Sequence, residues 1–390
     1  MRTIGVKVMG VRAPVIKQGD DLAGIVVDSL VKAATQEGFR FNDRDVVGVT
    51  EAVLARAQGN YATVDQIARC MANTFTGTVG CVFPILSRNR FAIMLKGMAQ
   101  GVEKLVVQLS YPADEVGNAL IEQQRIDEAG LNPFTDALTS AQFHEMFGPS
   151  VHKFTGMDYI DYYQSLGDNI EVVLCNDPRH ILQYTNNVVA GDIHTRRRTQ
   201  AMLKAAGANV VAMDELMTQS VDGSGYNAQF GLLGANKAGE ERVKLFPRDC
   251  DAFVNDVQAR LKSATGKEIE VLVYGDGGFK DPVGGIWELA DPVVSPGFTK
   301  GLNGTPNELK LKYLADTTYA DLKGEELSAA LRDAIRNKGE ESLVGNMQSE
   351  GTTPRRLTDL LGSLCDLTSG SGDKGTPFVL VQGYFDNYAD

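Results

Sequence analysis

A short apolar run that ends in an acidic residue between glycines constrains the fold most strongly. Residues Ile269–Asp276 read Ile-Glu-Val-Leu-Val-Tyr-Gly-Asp, and Gly277 and Gly278 follow. The aliphatic and β-branched centre of this run predicts a buried strand. Ligands often bind beyond the carboxyl ends of strands in α/β sheets, where a carboxylate can hold a divalent cation. The glycines predict that Asp276 is open to a ligand and not in a salt bridge; the alternative is a simple Asp-Gly turn.

Near the N-terminus, a proline-containing loop precedes a predicted helix. Asp20 and Asp21 stand directly before apolar residues that recur at helical spacing over Leu22–Ala34. Carboxylates at this position cap free N–H groups and favour the positive end of the helix dipole. Capping therefore explains one acid without any further function. The alternative is that the loop Pro14–Ile16 wraps a nucleotide.

A glycine-rich loop, Ser369–Pro377, joins a predicted helix over Leu357–Leu367 to a predicted strand over Phe378–Val381. It is not a Walker loop, because that motif continues with Lys and Ser or Thr and opens a helix that follows a strand. The loop is either a flexible connection or a segment whose backbone amides bind phosphate.

Two further segments complete an ordered set of five motifs. Asp45–Gly59 predicts a strand followed by a polar pair and a basic residue, and Gly231–Asn236 is followed by Leu245–Asp249. In this order, the five motifs resemble the γ-glutamyl ligases of the deazaflavin coenzyme F420, specifically the ligase domain that acts on the unglutamylated coenzyme. The resemblance covers about the first 60 residues and the region from about residue 225 to the end.

The resemblance implies amide formation by phosphate activation. GTP or ATP would transfer its terminal phosphoryl group to a carboxylate acceptor, and the amine of L-glutamate or a related amino acid would attack the acyl phosphate. Such a site needs positioning and neutralisation of phosphate charge by a metal and basic groups. The resemblance further implies an α+β fold with a mixed-sheet core, a divalent metal (Mg²⁺ or Mn²⁺) and a homodimer.

The resemblance also implies the roles of individual residues. Asp276 would be catalytic and hold the metal, and Arg56 would be catalytic and face phosphate. The nucleotide-binding set would also include Pro14, Val15, Ile16, Thr50, Glu51, Asn236, Gly370, Gly372, Lys374 and Gly375.

Three positions depart from the family's motifs. Leu233 stands where an acidic metal ligand is expected, Gly277 where a hydroxyl residue is expected, and Arg56 where lysine is expected. Arginine keeps the charge but loses the compact ammonium group. Because two presumed metal ligands are missing, either other acids replace them, or metal binding is weaker, or catalysis is lost.

Residues 61–225 form a segment longer than the family core needs, which would comprise residues 1–60 and 226–390. The alternation of strand and helix patterns predicts an inserted α/β unit with some parallel pairing. Strands are predicted at Cys81–Leu86, Lys104–Leu109, Asn169–Cys175 and Ala208–Ala212, and helices at Phe91–Gln100 and Thr195–Ala206.

Within this insert, two basic segments each open a predicted helix. Ser87–Arg90 and His194–Arg198 are either anion sites or solvated helix starts. Asp158, Asp161 and Asp177 are spare acids that can replace missing metal ligands or simply form turns. No histidine has the spacing of a metal ligand.

Composition limits the partners. The chain has 390 residues and a net charge of −12, which argues against nucleic acid or anionic membranes as partners. Its five cysteines lack C-x-x-C spacing, and no apolar stretch approaches the ~18 residues of a membrane span. The sequence therefore predicts a cytoplasmic protein that binds small molecules.

Three functions remain open. The first is a nucleotide- and metal-dependent amide ligase whose acceptor is selected by the insert. The second is a folate-type γ-glutamyl ligase, because family membership does not determine the substrate. The third is a non-catalytic ligand-binding protein that keeps the fold; Leu233 and Gly277 favour it, whereas Asp276 and the glycine-rich loop favour a ligase.

Overall fold

The structure, a computed structural model, describes residues 3–288, 290–339, 342–343, 345–349, 355–369 and 372–389. Its helices and mixed sheets confirm the predicted α+β class. All five cysteines are buried and free. Among the described helices, none is both long enough and apolar enough to cross a membrane.

The strands are, in chain order, β1 (Lys7–Val11), β2 (Val46–Thr50), β3 (Tyr61–Thr63), β4 (Thr78–Val82), β5 (Lys104–Leu109), β6 (Leu138–Thr139), β7 (Ile170–Leu174), β8 (Asn187–Ala190), β9 (Asn209–Ala212), β10 (Asn236–Lys237), β11 (Arg242–Lys244), β12 (Glu270–Tyr274), β13 (Gly297–Phe298) and β14 (Phe378–Gln382). The α-helices are α1 (Leu22–Glu37), α2 (Glu51–Ala57), α3 (Val64–Thr74), α4 (Ala92–Gln100), α5 (Gln123–Glu128), α6 (Ser140–Phe147), α7 (Tyr159–Gln164), α8 (Arg196–Ala205), α9 (Cys250–Thr265), α10 (Leu311–Asp316), α11 (Gly324–Arg336) and α12 (Leu357–Thr368).

A five-stranded sheet of order β1-β14-β2-β12-β13 takes its strands from both ends of the chain. β2 and β12 are parallel, and the other neighbours are antiparallel. Because side chains alternate along a strand, Val47 and Val271 pack with α1 and α9, whereas Val46 and Leu272 pack with α12. All four side chains are fully buried. The strand predicted within Ile269–Asp276 is thus confirmed as an interior strand.

The register of this sheet brings four chain segments to the same end of the sheet, here called the site rim. Thr50 at the end of β2 lies opposite Tyr274 at the end of β12, and Phe378 at the start of β14 lies opposite Val49. Phe378 also pairs with Val11, the last residue of β1. The site rim therefore carries the loops that follow β1, β2 and β12 and the glycine-rich loop that precedes β14.

A six-stranded sheet of order β6-β7-β5-β4-β8-β9 lies within the predicted insert. β7, β5, β4, β8 and β9 are parallel, and β6 pairs antiparallel with β7. The predicted strand at Lys104–Leu109 is confirmed at both ends. The prediction for Cys81–Leu86 is wrong at its C-terminal end, because β4 stops at Val82. Phe83 has a φ of 60°, outside the β region, and Pro84 has no N–H to donate.

A third sheet and the largest apolar cluster cross the predicted limits of the insert. β3 lies inside residues 61–225 but pairs with β11, which lies outside them. The apolar cluster around β4 and β5 also contains Leu232, Val243 and Phe246. These later residues therefore pack with the predicted insert, and the division into core and insert stays a prediction.

A buried carboxylate after β8 predicts that the stability of the fold depends on pH. Asp192 is fully buried, and its Oδ2 accepts hydrogen bonds from Thr195 (2.7 Å) and Thr199 (2.8 Å). Its Oδ1 has no hydrogen-bond partner within the described part of the chain. Burial raises the pKa of Asp192 to about 6. Between roughly pH 4 and pH 6, the folded state thus keeps a proton that the unfolded state has lost.

The free energy of unfolding should therefore fall as the pH rises through this interval, by about 2–3 kcal/mol from Asp192 alone. Asp192→Asn has no ionisable group at this place and should lose that component of the pH dependence. Urea unfolding of both proteins at several pH values measures the difference. Parallel pH profiles for the two proteins would show that Asp192 does not titrate in this way.

Candidate active site

Four carboxylates gather at the site rim beyond the end of β12. The backbone N–H of Asp276 donates to Asp291 (2.7 Å), and the N–H of Gly277 donates to Asp366 (2.9 Å). Glu288 lies close enough for its charge to act on the pKa of Asp276. The side chains of Asp276, Glu288, Asp291 and Asp366 are called the acid cluster here.

The guanidinium of Arg90 lies between two members of the acid cluster. It donates to Oδ2 of Asp276 and, at 2.7 Å, to Oδ1 of Asp291. The side chains of Arg90, Asp276 and Asp291 are 12, 22 and 2% exposed. The prediction that Asp276 is open and free of salt bridges is therefore wrong. Its partner, Arg90, lies in the loop between β4 and α4, which is remote from Asp276 in the sequence.

The acid cluster has four acidic side chains, and Arg90 pairs with only two of them. Burial and the neighbouring Asp291 raise the pKa of Asp276 to about 8, although Arg90 opposes the shift. Burial also raises the pKa of Glu288 and the pKa of Asp366. A further cation here would stabilise the ionised carboxylates, whose oxygens are the donors that Mg²⁺ and Mn²⁺ prefer.

Glu51, at the start of α2, forms a buried ion pair next to the acid cluster. The ammonium group of Lys244 lies 2.5 Å from both of its carboxylate oxygens. Burial raises the pKa of Glu51, and the charges of Asp291 and Arg90 also act on it. Asn236 lies opposite Lys244 in the pairing of β10 with β11. Two residues of the implied nucleotide set thus adjoin Lys244: Glu51 through the ion pair and Asn236 through strand pairing.

A groove of about 1110 Å³ opens beside the site rim, between β1, α1 and the glycine-rich loop. Pro14 and Lys374 line it together with Arg12, Lys32 and acidic side chains of α1. A groove of this size with three basic side chains suits the phosphates of a nucleotide.

The glycine-rich loop is hydrogen-bonded to the N-terminal loop at Gly375 and has space for a side chain at Gly372. Gly375 has a φ of 62°, which favours glycine, and its carbonyl accepts the N–H of Ala13 (3.1 Å). Among the described residues, a Cβ added at Gly372 would meet no atom within 4 Å. Gly370 lies outside the described residues.

This openness makes Gly372→Val a clean test of phosphate binding by the loop. The added Cβ contacts none of the described residues, so the free energy of unfolding should stay within about 0.5 kcal/mol of wild type. Nucleotide affinity should fall about tenfold if ligand atoms approach this backbone. Gly5→Val is the matched control. A Cβ at Gly5 also contacts none of the described residues, but Gly5 precedes the start of β1, at the end of that strand away from the site rim. Unchanged affinity for Gly372→Val would make the loop a connector.

The other residues of the implied nucleotide set are dispersed. Val15 is 75% exposed, and Ile16 is buried in the apolar cluster below α1. The backbone N–H of Thr50 donates to Pro377 (3.1 Å), which places it at the site rim. Arg56 is exposed in the last turn of α2, and within the described ranges no ion pair joins it to the acid cluster.

A protein-family model described as F420-0:Gamma-glutamyl ligase matches residues 10–383. The chain belongs to this family. The match runs through residues 61–225 as well as the two regions that carry the motifs, and it confirms the resemblance. Membership supports a gamma-glutamyl ligase and therefore an enzyme. No curated protein matches the chain.

Of the two missing ligands of this F420-0:gamma-glutamyl ligase family member, the one at Gly277 has a structural counterpart and the one at Leu233 does not. Leu233 is 1% exposed and packs in the large apolar cluster. A Cβ at Gly277 would lie 3.0 Å from Cα of Ser363 and 3.1 Å from the carboxylate of Asp366. Ser363 itself accepts the N–H of Gly278 (2.9 Å). A hydroxyl and a carboxylate from α12 thus lie where Gly277 has no side chain.

Most residues that surround Asp276 in this family member were not predicted from the sequence. Ser363 and Asp366 are three residues apart on α12, so they share one face, and this spacing ahead of a glycine-rich loop is a usable signal. Glu288 and Asp291 occupy irregular backbone without a periodic pattern. Arg90 belonged to a predicted anion site, but in the structure it binds the carboxylates of Asp276 and Asp291.

The other predicted anion site, at the start of α8, is also filled from within the chain. The carboxylate of Glu115 accepts the N–H of Ile193 and, at 3.2 Å each, those of His194 and Thr195. Helix N-termini attract anions, and here the anion is a side chain.

The spare acids of the insert have partners of their own. His144, Asp158 and Asp161 place their ligand atoms within 4.8 Å of one another, although the histidine spacing does not indicate a metal site. Asp158 caps α7 through backbone N–H groups, and Asp177 pairs with Arg179 at 2.6 Å. Capping and pairing account for Asp158 and Asp177 without a metal.

Proposed function

We propose that the chain is a nucleotide- and metal-dependent amide ligase that adds L-glutamate, or a related amino acid, to a carboxylate acceptor through an acyl phosphate. GTP or ATP is the proposed phosphoryl donor. One observation above all supports this: the acid cluster, the N-terminal loop and the glycine-rich loop all lie at the site rim. Family membership supports the gamma-glutamyl part of the proposal.

The acid cluster fits a divalent cation by its chemistry. Its members offer carboxylate oxygens. Both oxygens of Asp291 already accept hydrogen bonds, from Arg90 and from the N–H of Asp276, whereas Arg90 engages only one oxygen of Asp276. We therefore assign Asp276, Glu288 and Asp366 as the residues that would hold Mg²⁺ or Mn²⁺. A cation bound there would neutralise charge on the nucleotide phosphates.

In the proposed reaction, an oxygen of the acceptor carboxylate attacks the terminal phosphorus, and the nucleoside diphosphate leaves. The amine of glutamate then attacks the acyl carbon, inorganic phosphate leaves, and the amine releases a proton. Lys374 and Arg12 would bind phosphates from the groove, while Arg90 holds Asp276 and Asp291 in place. Such positioning is the main contribution of a protein to phosphoryl transfer.

Phosphate release tests this proposal. The full chain would be incubated with GTP or ATP, Mn²⁺ or Mg²⁺, L-glutamate and F420-0, with folate replacing F420-0 in a parallel reaction. We expect release that requires both acceptor and glutamate, with one amide formed for each phosphate. Phosphate release with folate as acceptor, but not with F420-0, would identify a folate-type ligase. If neither acceptor supports release and no nucleotide binds, a non-catalytic binding protein is the better description.

We also propose that residues 61–225 form an inserted α/β unit that folds against the core. Its parallel strands are buried, and backbone in that state resists proteases. Limited proteolysis of the full chain should therefore leave large fragments of this segment. Rapid digestion of the whole segment to small peptides would refute the proposal.

The proposed assembly is a homodimer in the cytoplasm that binds small molecules and neither nucleic acid nor membranes. The net charge of −12 supports the absence of polyanionic partners. Light scattering should give twice the chain mass of 42.1 kDa.

A further inference from the structure

A pocket of about 350 Å³ lies where residues 119–154 meet the loop 279–288. This volume is within the usual range of small-molecule sites. Val151 and Phe154 are 60 and 59% exposed, so large apolar side chains stand in water at the pocket. The apolar lining includes Ile121, Phe147, Val151, Phe154 and Ile286.

The pocket also has a cationic side. The guanidinium of Arg125 lies 5.4 Å over the Phe147 ring and donates one hydrogen bond to the Phe147 carbonyl (3.0 Å). No carboxylate lies within salt-bridge distance of Arg125 in the described ranges of the chain. Lys153 adds a second positive charge, which Glu122 approaches at 3.5 Å. The free donors of Arg125 are thus available to an anion beside aromatic rings.

The pocket is connected to the acid cluster by one short hairpin. The N–H of Glu288 donates to Phe279 (2.9 Å), and the N–H of Asp281 donates to Ile286 (2.8 Å). Ile286 lines the pocket and precedes Glu288 by two residues, which is about 7 Å along an extended chain. One wall of the pocket is therefore only two residues from a member of the acid cluster.

We propose that this pocket binds the flat aromatic part of the acceptor together with an anionic group that faces Arg125. Flat rings pack favourably against Phe147 and Phe154, and a negative charge complements the unpaired guanidinium. The identification of this ligand as the acceptor rests on the proposed function. The binding of an aromatic anion does not rest on it.

The single tryptophan of the chain provides a local probe. Trp287 adjoins Ile286, and its backbone N–H donates to Val116 (2.6 Å). The full chain, without nucleotide or metal, would be titrated with 8-anilinonaphthalene-1-sulfonate, an aromatic anion that accepts energy from tryptophan. The uncharged N-phenyl-1-naphthylamine serves as the matched neutral probe. We expect saturable energy transfer from Trp287 to both probes.

Arg125→Gln should weaken the anionic probe about tenfold and the neutral probe less than about twofold, because the positive charge that it removes attracts only the anionic probe. Phe154→Ala should weaken both probes. Arg198→Gln, an exposed arginine on α8, should change neither. Both substituted arginines are exposed, so folding is expected to survive and circular dichroism would verify it.

Absence of saturable transfer, or equal effects of Arg125→Gln on the two probes, would overturn the inference. Failure of the proposed function is a separate result. Probe binding without acceptor-dependent phosphate release would leave an aromatic-anion site in a protein that is not a ligase.

Discussion

Replacing Asp276 by asparagine is expected to abolish metal-dependent nucleotide binding, with a loss of affinity of at least about 100-fold. The change removes a hard oxygen donor, and with it the charge that the carboxylate would carry beside a bound cation, but preserves the shape of the side chain. Burial and Asp291 already raise the pKa of Asp276 to about 8. Loss of its charge should therefore change the free energy of unfolding by less than about 1 kcal/mol. Titration with a fluorescent GTP analogue and Mn²⁺, together with urea unfolding, measures both effects.

The matched control is Asp168→Asn, because Asp168 is an exposed residue of the same type on the insert. It should bind nucleotide as the wild type does. If Asp276→Asn also binds nucleotide normally, the carboxylate of Asp276 serves its ion pair with Arg90 and holds no metal. The metal site would then have to be sought among Asp158, Asp161 and Asp177.

Replacing Arg90 by alanine is expected to lower the free energy of unfolding by about 3–5 kcal/mol. Arg90 is the cation that contacts both Asp276 and Asp291, and its removal leaves two largely buried carboxylates without that partner. Arg90→Lys should recover only part of the loss, because an ammonium group lacks the fork that reaches two carboxylates at once. Urea unfolding near neutral pH compares the three proteins. A loss below about 1 kcal/mol for Arg90→Ala would show that the pair contributes little.

The double variant Arg90→Ala/Asp276→Asn separates the direct contact from other effects. If the ion pair is responsible, the double variant should be less destabilised than the sum of the single variants, by about 1–3 kcal/mol. Additive losses would instead assign the role of Arg90 to Asp291 or to packing.

Individual elements near the site were predictable because their patterns are local. β5 was predicted at both ends, and the helix and strand that flank the glycine-rich loop each extend one residue beyond their predicted ends. Apolar periodicity bounded by glycine and proline is sufficient for such assignments. The same kind of pattern predicted that β12 is buried.

The arrangement around Asp276 was not predictable in the same way. The site rim exists because β14 inserts between β1 and β2, and this pairing joins strands that are remote in the sequence. Arg90 and Asp276 are 186 residues apart, and no local pattern records their contact. The flanking glycines were read as room for a ligand. One of them, Gly275, instead gives room to Asp291, whose oxygen would lie 2.1 Å from an added Cβ.

The predicted insert contributes to the acid cluster through the loop that follows β4. From β4, the strands β5 and β7 extend to one side of the sheet, and β8 and β9 extend to the other. Loops beyond the carboxyl ends of strands at such a reversal commonly carry functional groups. Arg90 lies in one of these loops, so changes in the insert can alter the charge balance at Asp276 directly.

Calorimetric titration of the wild type with GTP and ATP tests most directly whether the site rim is a metal–nucleotide site. Each nucleotide would be titrated with Mn²⁺, with Mg²⁺ and with EDTA under otherwise identical conditions. We expect saturable binding of at least one nucleotide with metal, and affinity at least about tenfold weaker in EDTA. Equal affinity with and without metal, or no binding of either nucleotide, would contradict the proposed site.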